Sequence, residues 1–206
     1  MDSLTLHGTH IRLEPLEPGH ADRLAAASAA DPTLYQWSAI PQGRGAAEGY
    51  IAAALADRDA GNTLPLAIIR IADGVLIGST RFMEMEWWNW PPGHPRHGRS
   101  DPDVLEIGGT WLTRSAIRTA ANTEAKFLML SHAFEVWKAF RVCLHTDSRN
   151  FRSQTAIERI GGKREGILRA HRMAVDFTPR DSARYSIIAT EWPGVKERLN
   201  RMLYRG

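Results

Sequence analysis

The sequence predicts an α+β fold built on a mixed sheet, and three observations carry that prediction. Strand-forming and helix-forming stretches alternate in the irregular order ββ, αα, ββ, β, α, β, α, ββ, α, which is not a string of βαβ units. No internal repeat and no linker rich in Pro, Gly or Ser divides the 206 residues, so a single domain spans 1–206. Hydrophobic residues make up 43% and charged residues 24%, and at this size about 70% of the unfolded surface can be buried.

Each element has its own signal. Leu4-Thr5-Leu6 and Ile11-Arg12-Leu13 alternate around His7-Gly8-Thr9, which reads as two short strands and a turn. Pro18 to Ala30 and Ala46 to Ala60 are Ala-rich with apolar residues at helical spacing, and Gly61 closes the second as a C-cap. Leu64 to Ile71 and Val75 to Met85 flank Asp73-Gly74, the signature of an antiparallel hairpin. Trp87 to Pro102 is too long and too rich in Trp and Pro for a regular element, and is expected to be a functional or mobile loop.

Val104 to Leu112 resumes a strand, in which the pair Gly108-Gly109 marks a bulge or a close backbone approach. From Asn122 to Phe140 a long helix is expected, since Phe127, Leu130, Phe134 and Trp137 form one broad apolar face. Val142 to Thr146 is a strand, Gln154 to Ile160 a helix ended by Gly161-Gly162, and Gly166 to Val175 and Ala183 to Thr190 are strands. A last helix runs from about Pro193.

Composition excludes several function classes. With 26 Lys+Arg against 23 Asp+Glu the net charge is +3, which gives little support to a nucleic-acid partner. The single cysteine, Cys143, rules out an intramolecular disulfide and reads as a buried, inert thiol. The start Met1-Asp2-Ser3-Leu4-Thr5 lacks a basic, apolar leader, and no stretch approaches a membrane span, so a cytoplasmic location and no membrane partner are expected. His94 and His97 have no further ligands at fixed spacing, and no metal is predicted.

The chemistry concentrates after the fifth strand. There the chain passes through Ile117-Arg118-Thr119-Ala120-Ala121-Asn122 into the long helix, so unpaired N–H groups gather beside the positive end of a helix dipole. Small side chains let an anion reach the backbone and Arg118 adds charge, which suits a pyrophosphate. An ordinary N-cap by Asn122 accounts for the same residues equally well.

Several blocks in order resemble the GNAT acyltransferase superfamily, in the branch of the ribosomal-protein N-terminal acetyltransferases. They are Glu106-Ile107-Gly108, Asn122-Thr123-Glu124-Ala125-Lys126, His132-Ala133-Phe134-Glu135, Thr146-Asp147-Ser148-Arg149-Asn150 with Ser153, Ala156 to Gly162, and Tyr185-Ser186-Ile187 with Glu191-Trp192-Pro193. The resemblance implies a mostly antiparallel central sheet with one splayed parallel strand pair and helices on both faces. It implies acetyl-CoA as co-substrate, without a metal. Arg118, Thr119, Ala120, Ala121, Asn122 and Thr123 then cradle the pyrophosphate, the backbone of Trp111 and Leu112 meets the pantetheine arm, and Asn150 and Ser153 contact pantetheine and thioester. The family loop reads Q/R-x-x-G-x-G/A, and this chain departs from it with Ile117 and Ala120 at the first and fourth positions.

The implied reaction is direct attack of an amine, a protein N-terminus or a small molecule, on the thioester. A protonated amine needs a base, and Glu106 holds the matching acidic position, although a strand glutamate paired with an arginine reads as well. Ser153 is a candidate for holding the thioester or protonating the leaving thiolate. Tyr185 is a further candidate acid but reads more simply as a packed strand residue, and His132 and His145 read as structural. Trp87, Trp88 and Trp90, with Glu84 and Glu86, suit an acceptor pocket of aromatic walls and carboxylates, or else a dimer contact or a loop folded on itself. The competing readings are a noncatalytic acyl-CoA-binding module, an acyltransferase using a longer acyl-CoA, and a basic nucleic-acid adaptor resting on the Arg-rich loop alone.

Overall fold

The computed structural model describes residues 4–204, and its framework is an eight-stranded sheet. The strands are β1 (Leu6–His7), β2 (Ile11–Pro15), β3 (Thr63–Arg70), β4 (Leu76–Glu86), β5 (Val104–Leu112), β6 (Arg141–Asp147), β7 (Lys163–Met173) and β8 (Pro179–Ile188), in the order β1-β2-β3-β4-β5-β6-β8-β7. All neighbours are antiparallel except β5 and β6, which pair in parallel because the long helix carries the chain back across one face.

The helices are α1 (Ala21–Ala29), α2 (Arg44–Asp59), α3 (Ala120–Ser131), α4 (Phe151–Arg159) and α5 (Trp192–Tyr204). Alternation along the strands divides the core between the two sheet faces. Leu105 and Ile107 of β5 and Val142 and Leu144 of β6 pack with Ala125, Met129, Ile157 and Leu199 of α3, α4 and α5. Ala67, Ile69 and Leu76 on the opposite face pack with Leu24, Ala47 and Ile51 of α1 and α2. Beyond α1 and α2 that second face is bare of helices, so Glu106 of β5 and Cys143 and His145 of β6 line an open cleft.

Several boundaries differ from those expected. Turns of 3₁₀ helix at Pro18–His20 and Pro32–Tyr35 flank α1, so α1 is shorter than the Ala-rich stretch. The expected helix from Asn122 to Phe140 begins at Ala120, changes to a π turn at His132–Val136, and ends before Phe140. Its N-cap is Thr119, whose Oγ1 accepts from the Ala121 N–H at 3.2 Å, and Asn122 lies inside the first turn. Asn150 caps α4, accepting the Ser153 N–H at 3.0 Å, as the sequence suggests. No helix among the described residues is long and apolar enough to cross a membrane.

Candidate active site

The glycine pair does distort β5. Ser79 of β4 faces Trp111 while Arg81 faces Gly108, so two steps on β4 meet three on β5, and Gly109 takes a left-handed φ of +58°. The parallel ladder with β6 covers only Val104, Leu105 and Glu106. Past Glu106 and Cys143 the ladder ends, and the β6-side edge of residues 107–112 has no strand partner among the described residues. An extended chain with amide groups can enter that gap and pair with β5.

The gap leads to the turn before α3. Ile117 is extended, Arg118 is left-handed at φ +62°, and Thr119 is extended before Ala120 opens the helix. A non-glycine residue in that conformation is uncommon, and here it lifts an exposed guanidinium beside the helix N-terminus. Ala120, standing where the family consensus has glycine, has helical φ and fits its position without strain. These features, an unpaired strand edge running to a free helix N-terminus with a cation on the turn, fit the pantetheine and pyrophosphate of coenzyme A. Thr123 is buried, accepting from Arg159 at 3.0 Å, and so is a support of the turn.

At the vertex of the gap the side chain of Glu106 is buried. Its Oε2 accepts from His145 Nδ1 at 2.8 Å and from Arg172 Nη2 at 2.8 Å. Burial pushes Glu106 up, but the His145 hydrogen bond and the Arg172 charge outweigh it and hold the carboxyl below the usual range. Arg172 also binds Glu84. Glu84 is pushed upward by partial burial and by the neighbouring Glu106 charge, so the two carboxylates are driven apart in acidity. Oxygens of Glu84 and Glu106 and a nitrogen of His145 lie within 4.8 Å of one another. A cation could be bridged at such spacing, but the Arg172 guanidinium already takes that place.

A cavity of roughly 130 Å³ adjoins this network, lined by Glu84, Glu86, Glu106, Cys143, His145 and His171 among others. Its walls come from β4, β5, β6, β7 and, through Arg184, β8, so five strands converge on it. On the other side of β5, the buried Lys126 of α3 donates to Thr110 Oγ1 at 2.7 Å, and Thr110 in turn bonds Thr80 at 2.7 Å. Burial lowers the Lys126 pKa to about 7, only partly opposed by the Glu106 charge.

Other expected residues fall elsewhere. The Trp111 side chain is packed in the α1–α2 core, edge-on to Tyr35 at 5.7 Å, and only its backbone remains at the gap. Leu112 offers its carbonyl to Tyr35 Oη at 3.3 Å. Trp87 and Trp88 do not line the cavity. Trp88 stacks on Phe140 at 5.1 Å, Trp87 Nε1 donates to the Ser100 carbonyl, and Asp103 accepts from the Trp88 N–H and from Trp90 Nε1. The loop is thus folded on itself, one of the alternatives the sequence offers, and the cavity lined by Glu84 also has Glu106, His145 and His171 in its walls. Tyr185 is a packed core residue whose hydroxyl donates to Gln154 and Glu158. His145, expected to be structural, is in the site. The only sequence signal for it was its alternation with Cys143 on β6, which puts it on the Glu106 face.

The sequence profile of the acetyltransferase (GNAT) domain matches residues 10–163, about three quarters of the chain. The chain belongs to the GNAT acetyltransferase family. Its fold matches a candidate acetyltransferase from T. thermophilus with 33% identity and a TM-score of 0.80, covering 99% of each chain. A GCN5-related N-acetyltransferase from Brucella melitensis matches with 28% identity and a TM-score of 0.80, over 98% of this chain and 86% of that one. Mycobacterium smegmatis RimJ, solved in complex with CoA-disulfide, shares the fold at a TM-score of 0.75 with 20% identity, over 97% of this chain and 93% of its own. No curated protein matches the sequence. The GNAT acetyltransferase assignment agrees with the strand gap and with the resemblance seen in the sequence.

Proposed function

We propose that this GNAT protein is a single-domain, cytoplasmic, acetyl-CoA-dependent N-acetyltransferase, acting on the amine of a protein N-terminus or of a small molecule. The observation that carries the reading is the continuity of three parts along β5: the Glu106 network at the vertex, the unpaired edge beyond it, and the Arg118 turn at the helix N-terminus. Coenzyme A, when bound, supplies the activated acyl group. The chain's own residues orient it: residues 118–122 hold the pyrophosphate on a turn that Thr123 supports, the Trp111 and Leu112 backbone pairs with the pantetheine, and Asn150 with Ser153 at the start of α4 faces the thioester. Glu106, kept ionised by its partners, provides the negative charge that draws a proton from the amine.

Thiol release from acetyl-CoA with a panel of amines and of peptides with N-terminal Ala or Ser tests this. Release dependent on an amine, and lowered roughly 100-fold in turnover by Glu106→Gln with acetyl-CoA affinity near normal, supports it. Binding of acetyl-CoA without release to any amine would instead support a noncatalytic acyl-CoA-binding module, and faster release from a longer acyl-CoA would change the donor.

A further inference from the structure

We infer that His145, through Nε2, is the group that takes the proton from the acceptor amine, with Glu106 acting on the imidazole. The inference rests on the acyltransferase reading and deepens it. An ionised carboxylate only accepts hydrogen bonds, so the 2.8 Å contact from Glu106 Oε2 fixes the neutral ring's proton on Nδ1. The lone pair is then on Nε2. That atom is buried and has no hydrogen-bond partner among the described residues, the side chain is 3% exposed, and the residue lines the cavity.

An acceptor buried without a partner is costly, and its place in a cavity-lining residue calls for a donor arriving from outside the chain. An amine N–H is such a donor. A cavity of roughly 130 Å³ holds an amine terminus with a few waters, each water taking about 30 Å³. Glu106 is the weaker candidate for first acceptor, because its oxygen already receives two hydrogen bonds and its acidity is raised by them. The charged and titratable groups that line the cavity with His145 are Glu84 and Glu86 on β4, Glu106 on β5, Cys143 on β6, His171 on β7 and Arg184 on β8, with Arg172 of β7 bound to Glu106. His171 approaches to 5.0 Å between ring centroids, and its Nδ1 is likewise buried without a partner.

The step balances without a further reagent. As the neutral amine nitrogen forms its bond to the acyl carbon, its proton passes to Nε2. The carbon–sulfur bond breaks with its electron pair on sulfur, and the imidazolium returns the proton to give the free thiol and the amide.

The experiment has two arms. ¹⁵N spectra of histidine-labelled protein without ligand, with His145→Gln to assign the signal, should show the neutral His145 ring protonated on Nδ1, and Glu106→Gln should weaken that preference. Protonation on Nε2 overturns the proposal independently of any activity. In the second arm His145→Gln, which keeps an N–H donor for Glu106 but offers no base, should lower turnover about 100-fold with acetyl-CoA affinity unchanged. Turnover near wild type, or a loss of acetyl-CoA affinity in step with activity, overturns it. A wild-type protein that releases no thiol with any amine overturns the acyltransferase reading as well, whereas an active wild type with an equally active variant overturns only the role of His145.

Discussion

At the scale of single residues, function is concentrated in side chains whose neighbours alter their acidity or their reach. Arg118 is exposed on a left-handed turn, where it can meet a phosphate without steric conflict. Arg118→Glu should weaken acetyl-CoA by about 1 to 3 kcal/mol through a lost charge-assisted bond and added repulsion, measured by calorimetry. Lys126 gives a prediction with a definite sign. Its pKa is about 7 in the fold against an ordinary 10.5, so between these values the unfolded chain binds more protons and stability rises with pH. Lys126→Met should therefore be stabilised over wild type by a few kcal/mol near pH 6, on the order given by the shift, with the difference shrinking toward pH 10.5 in denaturant titrations. Glu106 was singled out in the sequence because the family resemblance puts an acidic residue at its position, two residues before the glycine pair. His145 was not, because its role comes from the register Glu106↔Cys143 between segments far apart in the chain.

At the scale of elements, α3 does more than cover the sheet. Glu124, buried in its second turn, accepts from the N–H groups of Thr9, His10 and Ile11, each at 2.7 Å, and so ties the β1–β2 hairpin to the helix that follows the Arg118 turn. Glu124→Gln removes the charge and points an amide donor at donors, so a loss of about 3 kcal/mol is expected in chemical unfolding. Gly8 lies so close that a Cβ would stand 2.4 Å from Glu124 Cδ, which explains a glycine at that turn. Element types were readable from periodicity, and the bulge from Gly108-Gly109. The helix start was not, since Thr119 and Asn122 are both good caps and only the left-handed Arg118 decides between them. The π turn also left no mark, because its apolar positions continue the helical stripe.

At the scale of the molecule, the tryptophan loop closes one end of the sheet. Phe140 receives Trp88 on its face at 5.1 Å and the Arg96 guanidinium at 4.6 Å, while Arg96 also pairs with Asp103 at 2.7 Å. Trp88→Ala should lower the melting temperature by a few degrees, the effect of about 1 kcal/mol, and leave the Michaelis constant for the amine unchanged. Trp88 is nonetheless 47% exposed, so light scattering on the same variant also tests whether the patch joins two copies of the chain. Composition alone could show that tryptophans sit in a loop, but not that Phe140, distant in the chain, supplies the surface they cover.

The strand gap has a consequence for how the protein can be watched. A continuous sheet protects its amide hydrogens from solvent deuterium, but β5, paired with β4 along its other edge, loses its β6 partner after only three paired residues. The amides of residues 107–112 that face the gap therefore exchange through water entry instead of through global unfolding, at rates set by whatever fills the space. Deuterium uptake along this half-strand becomes an occupancy gauge: rapid in the free protein, slowed when an extended amide chain seals the edge, and indifferent to ligands that bind elsewhere.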